Sequence, residues 1–287
     1  MKFNYFNEKE RKFGIATISR GFTGAMSRLL PSFSAFVGKK LLMKPHGKRH
    51  YELIEIQPSK ELNLSTSLGQ AHINIYGEGN EVVIMSHGWA DTSQSFEQMI
   101  SKLTSQGYLV AAIDHIGHGK SSGKNSHLLS FIETMELLLE HFEQERIPVA
   151  SIIGHSMGAI ATLNLPQQTL ENKKLILISS PIKFFELMFD KVEQFGISRK
   201  LLIRVLESIG QQYGRQWQHL HLDNHKIKLD LDVTFIHDEK DRYAPFHDVK
   251  HYLNGKETSL ITTSGLGHTR ILGDTSVINS VSQVLAS

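Results

Sequence analysis

The stretch Val149-Ala150-Ser151-Ile152-Ile153-Gly154-His155-Ser156-Met157-Gly158-Ala159-Ile160-Ala161 decides how this chain is read. An Ile-rich run after Pro148 predicts a buried strand over residues 149–153. The chain then turns through Gly-His-Ser-Met-Gly into a small-residue segment, residues 157–165, which predicts a helix ended by Pro166. A Gly-x-Ser-x-Gly turn between strand and helix holds a serine hydroxyl clear of the sheet. Gly154 and Gly158 stand where a side chain would strike the neighbouring strand or helix. The helix start after Ser156 offers orphan N–H groups and a positive dipole end to a developing oxyanion. Alone, the pattern also fits an ordinary strand-to-helix turn. The rest of the chain must supply a base and an acid.

On both sides of the elbow, strand and helix patterns alternate. Strands are predicted over residues 50–57, 69–76, 81–86 and 108–114, with helices over 95–106 and 128–145. Beyond the elbow come strands over 174–179, 231–237 and 259–263, and helices over 246–253 and 276–285. Alternating βα units predict an α/β fold with a mostly parallel central sheet and helices on both faces. Residues 181–229 break the rhythm. Phe184, Leu187, Met188, Lys191 and Phe195 form one helical stripe there, and Leu201, Leu202, Val205, Leu206 and Ile209 a second. This insertion predicts a helical lid over the strand ends, with Phe184 and Met188 as candidate substrate contacts.

The first 50 residues carry eleven Lys/Arg against two Glu, a net of +9 in a chain of net +2, so the remainder carries −7. Within them Ile15, Ile18, Phe22, Met26, Leu29, Phe33, Phe36 and Leu41 recur at helical spacing, and Pro31 fits the first turn of a second helix. A basic amphipathic extension over residues 1–48 is expected ahead of an α/β domain over residues 49–287. Its apolar stripe either packs on that domain or makes peripheral contact with an anionic membrane through residues 14–43. Charges and Pro31 interrupt every apolar run before it could span a membrane. No secretory leader is evident and the chain has no cysteine, which together predict a cytoplasmic protein, membrane-associated where residues 14–43 make that contact, and exclude disulfides and thiol chemistry.

A serine nucleophile needs a base, and the base needs an acid to hold its tautomer. His268, within Ser264-Gly265-Leu266-Gly267-His268, follows the strand over 259–263 and is the candidate base. Asp238, Glu239 and Asp241 all follow the strand over 231–237, and any of them could be the acid. His87 is expected to stabilise a turn. Residues 114–121 are glycine-rich but lack the spacing of a phosphate loop, and no dinucleotide fingerprint or nucleic-acid-binding pattern is present. The run His219 to His225 matches no strong zinc spacing and is expected to be solvated surface.

The four motifs Gly154-His155-Ser156-Met157-Gly158, His87-Gly88-Trp89, Asp114-His115-Ile116-Gly117-His118-Gly119-Lys120-Ser121 and Gly267-His268 together resemble the α/β-hydrolase superfamily. The nearest likeness is to its monoacylglycerol lipase-like and serine aminopeptidase-like branch, over roughly residues 69–287. The resemblance implies an α/β-hydrolase fold and a triad of Ser156, His268 and an acid. Aligning Pro245 with the family's proline makes Asp241 that acid, with Asp238 in place of the family's glycine. It also implies an oxyanion hole from the backbone N–H groups of Trp89 and Met157, and a bracing role for residues 114–121. The expected activity is cleavage of a small-molecule ester or lipid-like substrate through an acyl-enzyme, with no metal and no cofactor. An aminopeptidase or thioesterase on the same triad is the alternative, Glu186, Asp190 and Glu193 being candidates to receive a free amine. A non-catalytic binding module is the remaining alternative.

Overall fold

The computed structural model describes residues 13–46, 56–222, 231–254 and 260–287. Its strands are β1 (Lys60–Thr66), β2 (Gly69–Tyr76), β3 (Val82–Ser86), β4 (Leu109–Asp114), β5 (Val149–His155), β6 (Lys174–Ile178), β7 (Val233–Asp238) and β8 (Leu260–Thr263). Its helices are α1 (Phe13–Leu29), α2 (Pro31–Leu42), α3 (Glu97–Ser105), α4 (Leu128–Gln144), α5 (Met157–Leu163) and α6 (Gln167–Leu170). These are followed by α7 (Phe184–Gln194), α8 (Arg199–Tyr213), α9 (Phe246–Leu253), α10 (Gly267–Arg270) and α11 (Thr275–Ala286). The chain divides into two compact units, residues 48–182 with 225–287 and residues 1–47 with 183–224.

The larger unit holds one eight-stranded sheet in the order β1-β2-β4-β3-β5-β6-β7-β8. β2 runs antiparallel to both β1 and β4, and every other pairing is parallel. Val83, Met85, Val110, Ala112, Ile153, Ile176, Ile178 and Ile236 share one core with Met99, Ile100 and Leu103 of α3 and Val277 and Val281 of α11. Alternation along each strand turns Ile84, Ala111, Ile152 and Leu177 to the other face, where they are equally buried. There α4 packs on α5 and β1, and α5 on β5 and β6. Parallel strands covered on both faces explain why β3 and β6 read as unbroken apolar runs.

The sequence misses β1. Its Lys-Glu-Asn-Leu-Ser content reads as polar because it is an edge strand paired with β2 alone, with no residue of it fully buried. The strand predicted over residues 50–57 falls almost wholly outside the described residues. The single turns α6 and α10 are too short to give a periodic signal.

In the smaller unit, α1 and α2 pack on each other and on α8, and α7 packs on α8. Pro31 opens α2 at its first turn, as its fixed φ favours. The apolar stripe of the extension is not what packs. Ser34, Ala35 and Gly38 are the buried residues of α2, while Phe22, Phe33 and Phe36 are exposed. On α7 the buried residue is Phe185, beside the predicted stripe, and it stacks against His221 and tilts against Trp217.

Candidate active site

β5 delivers the chain to Ser156 and α5 carries it away. The reversal is sharp enough to force Ser156 to φ 53°, ψ −116°, a conformation that costs a non-glycine residue about 1–3 kcal/mol. The crossing is tight on both sides. A Cβ on Gly154 would sit 2.7 Å from Cα of Ala159, and one on Gly158 would sit 2.2 Å from the Ser86 carbonyl oxygen. The strain is held by Ser156 N–H donating to Ile178 O at 3.0 Å and by Ser156 O accepting from Ala159 and Ile160.

His268 lies in α10, just after β8, and Asp241 in the turn after β7. His268 Nδ1 is 2.8 Å from Asp241 Oδ2, and His268 Nε2 is 2.9 Å from Ser156 Oγ. Asp241 Oδ1 accepts from the N–H groups of Tyr243 and Ala244 at 2.8 and 2.9 Å. Burial opposes the charge on Asp241, but the hydrogen bond and charge of His268, with those two N–H groups, outweigh it and hold the carboxyl below its usual range. An ionised Asp241 makes Nδ1 the protonated nitrogen of His268. Nε2 is then left to accept from the serine hydroxyl.

The loop after β3 approaches the same hydroxyl, since a Cβ on Gly88 would lie 2.9 Å from Cβ of Ser156. Trp89 is the next residue along. Met157 opens α5, where helix geometry leaves its N–H without an intrahelical acceptor. Three buried imidazoles support this loop. His87 Nδ1–H donates to Gly88 O at 2.7 Å, and its Nε2 accepts from His115 N–H at 3.1 Å. His118 Nε2 accepts from Ala90 N–H at 3.0 Å, and its Nδ1–H donates to Ile116 O. His115 Nε2 pairs with Ser86 Oγ at 2.7 Å and its ring stacks on Phe131. Burial pushes His87 below its usual range, and burial together with its two histidine neighbours pushes His115 well below it.

A family profile described as serine aminopeptidase, S33 matches residues 77–271, which span this whole constellation. The chain belongs to the serine aminopeptidase S33 family of α/β-hydrolases. Human monoglyceride lipase is 31% identical over 109 residues, which are 36% of each chain. A human serine hydrolase-like protein is 31% identical over 158 residues, 51% of this chain and 73% of that one. The chain thus matches only about a third of the lipase's length. Among solved structures, an esterase of Pyrococcus furiosus superposes with a TM-score of 0.60 at 15% identity, over 83% of this chain and 98% of that one.

Within this S33 fold, Asp238 ends β7 three residues before Asp241, and its hydrogen-bond partners separate the two. Its Oδ1 accepts from the N–H groups of Lys240 and Gly265, and its Oδ2 from Thr263 Oγ1 and Leu266 N–H. Burial works against its charge, yet these donors bring the carboxyl below its usual range. Asp238 therefore ties the end of β7 to the loop that carries His268. His155 was also passed over in the sequence, being the variable position of the elbow motif. Its Nε2 donates to the carbonyl oxygen of His268 at 2.8 Å, so the residue before the serine also anchors the histidine. Only its place between Gly154 and Ser156 could have drawn attention to it.

Residues 114–121 act through hydrogen bonds. Asp114 Oδ1 accepts from Ser93 N–H and Oδ2 from Lys120 N–H, each below 3 Å. Phe184 and Met188 belong to the helical unit, where they are half-buried. The acids considered for an amine pocket are already engaged there: Asp190 and Glu193 both bind Arg199, at 2.8 and 3.0 Å, and Glu186 lies 3.6 Å from His221 Nδ1. His219 to His225 extends beyond the described residues after Leu222. Among the described residues no three His, Asp or Glu side chains converge as metal ligands would.

Proposed function

We propose that this chain is a serine hydrolase that cleaves carboxylic esters with apolar acyl groups. The observation that carries the reading is the unbroken line from Ser156 Oγ through the His268 ring to Asp241 Oδ2. As a substrate carbonyl arrives, Ser156 Oγ attacks its carbon while His268 Nε2 takes the hydroxyl proton. Asp241 keeps Nδ1 protonated and stabilises the imidazolium. The carbonyl oxygen, now an oxyanion, is received by the N–H groups of Met157 and Trp89, and such donors lower the barrier because they need not reorganise. His268 returns the proton to the leaving alkoxide, releasing an alcohol and an acyl-enzyme. Water then attacks the acyl carbon with His268 again as base, giving the acid and free Ser156. The cycle needs only these residues and water.

Ester cleavage is favoured over aminopeptidase activity by the engagement of Asp190 and Glu193 with Arg199, which leaves them already paired within their own unit. A panel of p-nitrophenyl esters of increasing acyl length, set beside aminoacyl-nitroanilides, tests the reading. Turnover of the esters is expected, falling by on the order of 10⁴-fold or more in Ser156→Ala with thermal stability retained. Equal turnover by Ser156→Ala, or activity confined to the anilides, would sink it.

A further inference from the structure

The two N-terminal helices are built inside out. In a water-facing amphipathic helix the large apolar residues face the core and small or polar ones face solvent. Here the small residues face inward. Gly24 abuts Ser198 at the start of α8, and Ser198 N–H donates to Thr23 Oγ1 at 3.0 Å. Gly38 lies so close to α8 that a Cβ would sit 2.5 Å from Val205 Cγ2 and 3.2 Å from Leu201 Cδ1. The hydroxyls on these helices are folded back onto their own backbones: Thr23 to Ser19 O, Ser27 to Thr23 O and Ser34 to Pro31 O. Close backbone approach through Gly, Ala and Ser, with hydroxyls satisfied locally, is how helices pack where the surrounding medium is apolar.

The large apolar residues point the other way. Of the large apolar side chains exposed among the described residues, all but Tyr243 lie on α1, on α2 or at Leu30 between them. Ile18, Phe22 and Leu29 share one face of α1 at 75%, 68% and 79% exposure, with Phe33, Phe36 and Leu41 exposed on α2. Scattered exposed leucines are ordinary, whereas a contiguous set confined to one element pair points to a partner.

Charge selects that partner. Neither α1 nor α2 contains an Asp or Glu, and of their cations Arg28 and Lys40 are exposed while Arg20 and Lys39 are half-buried. Lys40 Nζ lies 4.4 Å over the Phe36 ring, so a positive charge sits among the exposed phenylalanines. Asp190 and Glu193 of α7 are engaged with Arg199 of α8, and Glu207 of α8 with Arg204 of the same helix. An apolar face rimmed by cations and lacking acids fits the interfacial zone of a bilayer with anionic headgroups, whereas an ordinary protein surface would answer it with acids only at its rim. No described helix is long and apolar enough to cross a membrane. We infer that α1 and α2 dock this protein on the surface of an anionic membrane, with Phe22, Phe33 and Phe36 inserted at the level of the headgroups.

Co-sedimentation of the full-length chain with phosphatidylcholine vesicles, with and without phosphatidylglycerol, tests this. Binding to the anionic vesicles is expected to exceed binding to the neutral ones by about tenfold or more, and to weaken as salt rises. Phe22→Ser/Phe33→Ser/Phe36→Ser together should abolish it. Their side chains are exposed, so turnover of a short soluble ester should stay unchanged, which shows that the variant is folded. Absence of vesicle binding by the wild type, or binding that survives the triple substitution, overturns the inference. So does a wild-type dimer in sedimentation velocity that the same substitutions dissociate without any vesicle binding, because the face would then belong to a second copy of the chain.

Discussion

Two aspartates stand at the end of β7, and their partners give them different work. Asp241 touches the ring that touches Ser156, whereas Asp238 accepts four hydrogen bonds from its own turn and from the loop before His268. Asp241→Asn is therefore expected to lower kcat by about 10⁴-fold through the wrong tautomer of His268. Asp238→Asn should lower it by only about 10- to 100-fold, through loosened placement of the same ring. Steady-state kinetics on both variants decides between the roles, and equal losses would contradict the division. Ser156 and His268 were legible because glycines flank them, and glycines at a sharp turn are a backbone requirement visible in one dimension. The two aspartates were not separable by spacing. A difference of three residues within one turn reverses which way a carboxylate faces, and only the resemblance chose between them.

At the level of elements, each strand buried on both faces could be read from its run of β-branched residues. β1 could not, because an edge strand with no fully buried residue need carry no apolar signal. The histidines of the loops after β3 and β4 are legible in the sequence only as motif letters. Folded, His87 and His115 are wholly buried, which pushes both below their usual range, and His87 Nε2 accepts from His115 N–H through a lone pair that protonation would destroy. His237, also buried, is likewise pushed down by burial. The unfolded chain binds protons at these sites once pH falls below about 6.5, and the folded chain does not. Stability must then drop as pH falls through that region and be level above it. Asp241 works in the opposite sense. Its depressed value adds stability that persists above about pH 4 and is lost only below. Thermal unfolding followed from pH 8 to 5 should show Tm constant down to about 7 and declining beneath, with a shallower decline in His115→Phe. A flat profile to pH 5 would contradict the neutral cluster.

Across the whole molecule, the acidic body and basic extension were evident from charge alone. The assembly of the N-terminal helices with the distant insertion was not. It rests on α2 packing against α8, with Gly38 against Val205 and Leu201 and with Ser34 and Ala35 buried, and small residues leave no hydrophobic periodicity to read. The catalytic proposal is equally a property of the folded whole, since residues 156, 241 and 268 come from three segments that only the sheet brings together. The most direct measurement is peptide mapping after reaction with a fluorophosphonate, on native and on urea-unfolded protein. One adduct on Ser156 is expected in the native chain, absent after unfolding and strongly slowed in His268→Ala. An unlabelled native Ser156, or labelling that persists in unfolded protein, would contradict a serine activated by its neighbours.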